Sequence, residues 1–207
     1  MSSLSALRRI SRGERGFTLL EILLALVLLS VVLGALYSTF FLSHRALEGM
    51  DDTLVKMQEC RMALDVMRRE LDSLVFSTGS KYTLFKVEDR DLYGRQTSRL
   101  LFSSLSPLAP GLSSLSYYVE EQGGKKTLWK KRYSSYEKPG EEKGMELMEE
   151  LESFSVEVRD GGAWVRTWNA AESGRVPDEI RITMTVLMKD RTLSLSETVR
   201  PKIGSVL

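Results

Sequence analysis

Cysteine and histidine are almost missing from this chain of 207 residues, which has one of each, Cys60 and His44. A lone cysteine closes no intrachain disulfide, and one Cys with one His falls short of a transition-metal ligand set. Proline is scarce too, and the first one does not come until Pro107. Nothing of that kind interrupts a helix between Phe17 and Ser77. An excess of one charge is also lacking, with 29 basic residues against 28 acidic ones. The small imbalance has a location: Arg8, Arg9, Arg12 and Arg15 against Glu14 give the first sixteen residues a local net of +3, which leaves −2 for the rest. The body therefore has no concentrated basic face of the kind that binds nucleic acid.

Recognisable catalytic spacing is absent as well. Glu120-Glu121 would sit on opposite faces of a strand, and Glu141-Glu142 and Glu149-Glu150 fall in or near a charged loop, so these pairs read as solvated surface rather than acid/base dyads. Gly123-Gly124-Lys125-Lys126-Thr127 lacks both the glycine spacing and the Lys-Ser/Thr ending of a phosphate loop. The Asp160-Gly161-Gly162 turn is too sparse in oxygen ligands for calcium. His44 ends an apolar run and is far in sequence from the serines of the body, while Cys60 lies in a helical stripe as a small packing residue. Trp129, Trp164 and Trp168 fall on candidate strands, where core or subunit contact is the ordinary role. No catalytic residue, cofactor site or metal site is expected.

What the chain does have is a long apolar run. Ile22 to Leu42 is 21 residues, or about 31 Å of helix, against a hydrocarbon core of about 30 Å. The arginine cluster in front of it predicts a cytoplasmic N-terminus with the body across the membrane. A secretory signal peptide would place its cleavage site after the apolar run, and no Ala-x-Ala site follows Leu42. A retained single-pass anchor accounts for length and orientation but not for Glu21, a carboxylate at the edge of the span that calls for a partner.

The order of basic leader, Gly16-Phe17-Thr18-Leu19-Leu20-Glu21 and membrane-length helix resembles the N-terminus of type IV pilins and pseudopilins. That resemblance implies cleavage by a prepilin peptidase between Gly16 and Phe17, N-methylation of Phe17, and use of Glu21 to register each subunit in a helical assembly. Glu21 would then meet an α-amino group that exists only after the cut.

Beyond the span, Leu47, Met50, Leu54, Met57, Leu64, Met67, Leu71 and Leu74 recur at helical spacing, which predicts that the helix continues as an amphipathic segment. The stripe is expected to pack mainly on the protein's own domain, with part available to sister helices. Thr78-Gly79-Ser80 is the expected stop. Strands are predicted at Arg99 to Ser103, at Leu115 to Glu121 and Lys126 to Tyr133 around a Gly123-Gly124 hairpin, and at Leu151 to Arg159 and Ala163 to Asn169 around Asp160-Gly161-Gly162. A last pair is predicted at Glu179 to Met188 and Thr192 to Val199, joined by a turn at Lys189-Asp190-Arg191. Ser104 to Ser114 and Glu137 to Glu146 read as loops.

The fold class expected is α+β: a long N-terminal helix, then a mostly β pilin-like domain of two packed antiparallel sheets. The expected parts are a leader at 1–16, a transmembrane helix at 17–43, its amphipathic continuation at 44–77 and a β-rich periplasmic domain at 78–207. Within the pilin-like class, the Arg61 to Leu71 helix segment, the Leu115 to Glu120 strand leading to Leu128-Trp129, and Val176 to Ile182 are similar to minor pseudopilin J of the type II secretion system. This implies a non-enzymatic component of the pseudopilus tip, with sibling minor pseudopilins I and K as partners and H as a further one. The tip would prime assembly and support export of folded proteins across the outer membrane. A minor type IV pilin or a competence pseudopilin, acting in fibre assembly, adhesion or DNA uptake, shares every N-terminal feature.

Overall fold

The absence of proline and the supply of Leu, Ala, Met, Glu and Arg through residue 72 produce one helix, α1 (Leu19–Asp72), in the computed structural model of the chain. The structure describes residues 16–92, 94–105, 111–136, 144–188 and 192–202, with side chains omitted at 46–52. The arginine leader, the Lys189 to Arg191 turn, the proline-bearing part of the Ser104 to Ser114 loop and most of the Glu137 to Glu146 segment lie outside it. The described chain divides into two units, one ending at Asp51 and the other beginning at Asp52.

In the first unit, Leu19–Arg45 is long and apolar enough to cross a membrane, and none of it is buried by protein. Two of its hydroxyls that would otherwise face an apolar medium are satisfied within the helix. Ser30 Oγ donates to Leu26 O at 2.7 Å and Thr39 Oγ1 to Ala35 O at 2.9 Å.

In the second unit, the helical stripe turns inward at Cys60. Cys60, Ala63, Leu64, Met67 and Leu71 enter the core, whereas Leu54 is exposed. Leu47 and Met50 lie among the residues whose side chains are not described. The helix stops at Asp72 rather than Ser77 because the next residues are drawn into a sheet edge: Leu74 bridges Ser104, and Val75 N–H donates to Ser103 O at 2.9 Å.

Twelve strands follow among the described residues, named in chain order. β1 (Phe85–Glu88), β4 (Arg99–Ser104), β5 (Ser113–Gln122), β6 (Lys125–Ser134), β7 (Met145–Met148) and β10 (Trp168–Asn169) form an antiparallel sheet in the order β10-β1-β4-β5-β6-β7. β8 (Leu151–Asp160), β9 (Ala163–Val165), β11 (Ile180–Leu187) and β12 (Thr192–Val199) form a second, β12-β11-β8-β9, and β2 (Asp91–Leu92) pairs with β3 (Arg95–Gln96) as a small ribbon. Alternation decides which face is inside. Ile180, Ile182, Met184 and Val186 of β11 are buried opposite Val158, Val156, Phe154 and Leu151 of β8. Residues from α1 and both larger sheets belong to one hydrophobic core. The Gly123-Gly124 turn has φ of 62° and 79°, the left-handed conformation that a two-residue hairpin requires.

Two further predicted boundaries differ. Ala163 to Asn169 is not one strand: Val165 still pairs with Val158, but Trp168 crosses to pair with Val87 in the other sheet. Asn169 then caps a single helical turn, α2 (Ala170–Ser173), its side chain accepting from Ala171 N–H at 3.2 Å. Nor is Glu146 in a loop, since β7 pairs it with Trp129 of β6.

The contact between α1 and the first sheet contains a buried charge. Glu70 is 1 % exposed and Lys130 8 %. Lys130 Nζ donates to Glu70 Oε1 and the buried Tyr117 hydroxyl donates to Oε2. Burial first, then the Glu70 charge, pushes the Tyr117 phenol well above its ordinary range, so it remains a donor.

Candidate processing and assembly site

Gly16 and Phe17 precede α1 and are exposed, Phe17 at 83 %. A Cβ added at Gly16 would meet nothing within 4 Å, so no packing among the described residues demands glycine there. The two residues therefore present an open peptide bond directly before the helix.

Thr18 begins the helix by capping it. Glu21 N–H donates to Thr18 Oγ1 at 3.3 Å, while Glu21 Oε2 accepts from Thr18 N–H at 3.0 Å and from Thr18 Oγ1 at 3.1 Å. This is the reciprocal Thr-x-x-Glu capping box, in which orphan donors of the first turn are satisfied by two side chains. The reading of Glu21 from the sequence missed this local partner, although Thr18-Leu19-Leu20-Glu21 carries the signature. Oε1 has no hydrogen-bond donor among the described residues. Glu21 thus has one oxygen occupied by its own cap and one available.

The remaining candidates do not gather into a site. Glu120 and Glu121 are exposed on β5, and Glu149-Glu150 forms the turn between β7 and β8. Glu150 there accepts from Lys125 Nζ at 2.8 Å. Asp160 accepts from Arg175 at 2.6 Å. Cys60 is buried beside Met148, Sγ to Sδ 3.5 Å, and burial pushes its thiol up to about 11, which removes the thiolate needed for reactivity. Trp164 lies under the Arg181 guanidinium at 3.8 Å, Trp168 donates to Arg175 O at 3.2 Å, and no two tryptophans stack among the described residues. Among the described residues, no group of three or more His, Cys, Asp or Glu could hold a metal ion.

The distinctive chemistry is therefore at the start of α1, and comparison with known families agrees. No curated protein matches the chain. The prokaryotic N-terminal methylation motif matches residues 11–37, a window that contains Gly16, Phe17, Glu21 and most of the apolar run. A second family model matches residues 38–191, three quarters of the chain, and covers the second half of α1 and nearly all of the β-rich body. The chain belongs to the family of type II secretion system (T2SS) protein J.

Proposed function

We propose that this minor pseudopilin is made as a precursor, cut by prepilin peptidase between Gly16 and Phe17, methylated on the Phe17 amine and registered among its neighbours through Glu21. The observation that carries the reading is the exposed Gly16-Phe17 bond set one residue before a capped, membrane-length helix whose first turn holds a carboxylate. The leader arginines stay in the cytoplasm, since cationic flanks resist translocation, and the β-rich domain lies in the periplasm. Residues 17–43 span the membrane and the rest of α1 carries the domain from 78 onward.

The partners in this reading are the sibling minor pseudopilins I, K and H in a tip complex that primes the pseudopilus for export of folded proteins. Each step is mechanical: insertion, lateral pairing and display. Intact-mass measurement of protein extracted from membranes tests the first step. The expected species lacks residues 1–16 and carries one added methyl on its amine; a mature chain still beginning at Met1 overturns the reading.

A further inference from the structure

The larger sheet has a core face and an outward face, and the outward face carries a small cationic cavity. Register places Arg99 of β4 beside Tyr118 of β5, Ser116 beside Lys131 of β6, and Ser114 beside Tyr133. The alternate residues Leu100, Phe102, Leu115, Tyr117 and Leu128 are buried on the core side. Arg99, Ser116, Tyr118, Lys131 and Tyr133 therefore share the other side. With Arg90 from the segment after β1 and Glu120 at the rim, they line a cavity of about 300 Å³.

The polar groups there are held in place. Ser116 is 3 % exposed, and Arg99 Nε donates to its Oγ at 3.5 Å. The Arg99 guanidinium stands 5.9 Å from the Tyr118 ring centre. Neither Arg99 nor Arg90 has a carboxylate at salt-bridge distance among the described residues, and the nearby Glu88 is bonded to Lys86 at 2.8 Å instead. On the same face, directly across from Tyr118, the Trp129 Nε1 donor is buried without a hydrogen-bond partner among the described residues. Two guanidinium groups and several hydroxyl-bearing side chains thus line a space with a single carboxylate among the described residues around it.

We propose that this cavity binds the carboxylate of an Asp or Glu side chain presented by a partner protein, with Arg99 supplying the guanidinium fork. A planar carboxylate offers two acceptors that match the two parallel donors of an arginine, and the Ser116 hydroxyl in the cavity lining has its own hydrogen to donate to a remaining lone pair. The volume lies at the bottom of the range for small-molecule pockets, which suits one side chain rather than a cofactor. Glu120 in the lining selects by charge: its repulsion acts about twice as strongly on a dianionic phosphate as on a monoanionic carboxylate. This binding is separate from the processing of residues 16–21, and its failure leaves that reading untouched.

Fluorescence anisotropy of a labelled tetraglutamate peptide against the full chain in detergent micelles, at about 50 mM salt to limit screening, tests it. Tetraglutamate should bind and tetraglutamine should not. Losing a charge-assisted hydrogen bond in Arg99→Gln should weaken binding about tenfold or more, while Arg181→Gln, on the other sheet and engaged with Glu157 and Trp164, should leave it unchanged. Arg90→Gln, at an exposed position, provides the same reading should Arg99→Gln fail to fold. Acetate should displace the peptide better than phosphate at equal concentration. Equal binding by the arginine variants, equal loss in Arg181→Gln, or stronger displacement by phosphate overturns the proposal.

Discussion

Removing the Lys130 ammonium tests directly how α1 is held to its domain. The Glu70 carboxylate has two donors in the core, Lys130 Nζ on Oε1 and the Tyr117 hydroxyl on Oε2. In Lys130→Met the side-chain volume is roughly kept while the cation is lost, and a carboxylate that is 1 % exposed is left with one neutral donor. Breaking one side of a buried pair costs about 3–5 kcal/mol. Tyr117→Phe removes one hydrogen bond to a charged acceptor and costs less, about 1.5–3 kcal/mol. In Glu70→Met/Lys130→Met neither charge needs solvation, so stability should return to about the wild-type value or exceed it. Urea unfolding of the full chain in micelles, followed by tryptophan fluorescence, resolves these values: at a slope of about 2 kcal/mol/M the Lys130→Met midpoint falls by about 2 M. The reasoning fails if Lys130→Met costs less than Tyr117→Phe. It fails equally if the double variant loses as much as Glu70→Met and Lys130→Met added together, because uncoupled effects mean the two charges do not compensate each other.

Glu179 gives a pH prediction. Hydrogen bonds from Arg200 and then Arg159 hold its carboxyl below the ordinary 4.5, so the folded state binds its proton less readily than the unfolded chain does. The stabilisation is present above the unfolded value and is lost as pH falls through the lower folded value; thermal melts of the wild type should therefore decline more steeply below about pH 4.5 than those of Glu179→Gln. At the head of α1, Thr18→Ala removes the cap and should cost helix stability of about 1 kcal/mol, read as fraying of the first turn by amide exchange in micelles. Crosslinking to sibling pseudopilins should fall further in Glu21→Ala, which removes the carboxylate, than in Thr18→Ala, which only frees it to rotate; equal loss in both would reduce Glu21 to a capping residue.

What could be seen in the sequence was what is encoded locally. The membrane-length run, the long helix and the Gly123-Gly124 hairpin each follow from spacing or from a residue type that one conformation demands. β11 and β12 were legible because each alternates cleanly over eight residues. The four-residue β1 and β7 are too short for a period to register, and they exist because β4 and β6 offer them an edge. The break between β9 and β10 is likewise a tertiary choice, made when Trp168 pairs with Val87 rather than continuing along β8. Glu70 shows the same limit more sharply. Between Arg69 and Leu71 it reads as one more charge on a solvated helix face, and its burial depends on Lys130, sixty residues away.

The cap at Thr18 changes what the proposed cut does to Glu21. In the uncut chain Oε2 takes both Thr18 donors, which satisfies part of the helix's first turn and needs no other subunit. Cutting after Gly16 leaves the cap residues in place but puts a cationic amine one residue ahead of them. A positive charge is disfavoured at a helix N-terminus, where the aligned peptide dipoles already present positive ends, and burial in lipid deepens the cost. Glu21 Oε1 is the carboxylate oxygen nearest in sequence with no hydrogen-bond donor among the described residues, so the same side chain that starts the helix can also offset the new charge. A neighbour's amine needs the same offset, and a carboxylate already oriented by its own threonine can meet it with little further loss of side-chain freedom. On this argument the capping box does not compete with registration; it fixes the direction in which the free oxygen points before any second subunit arrives.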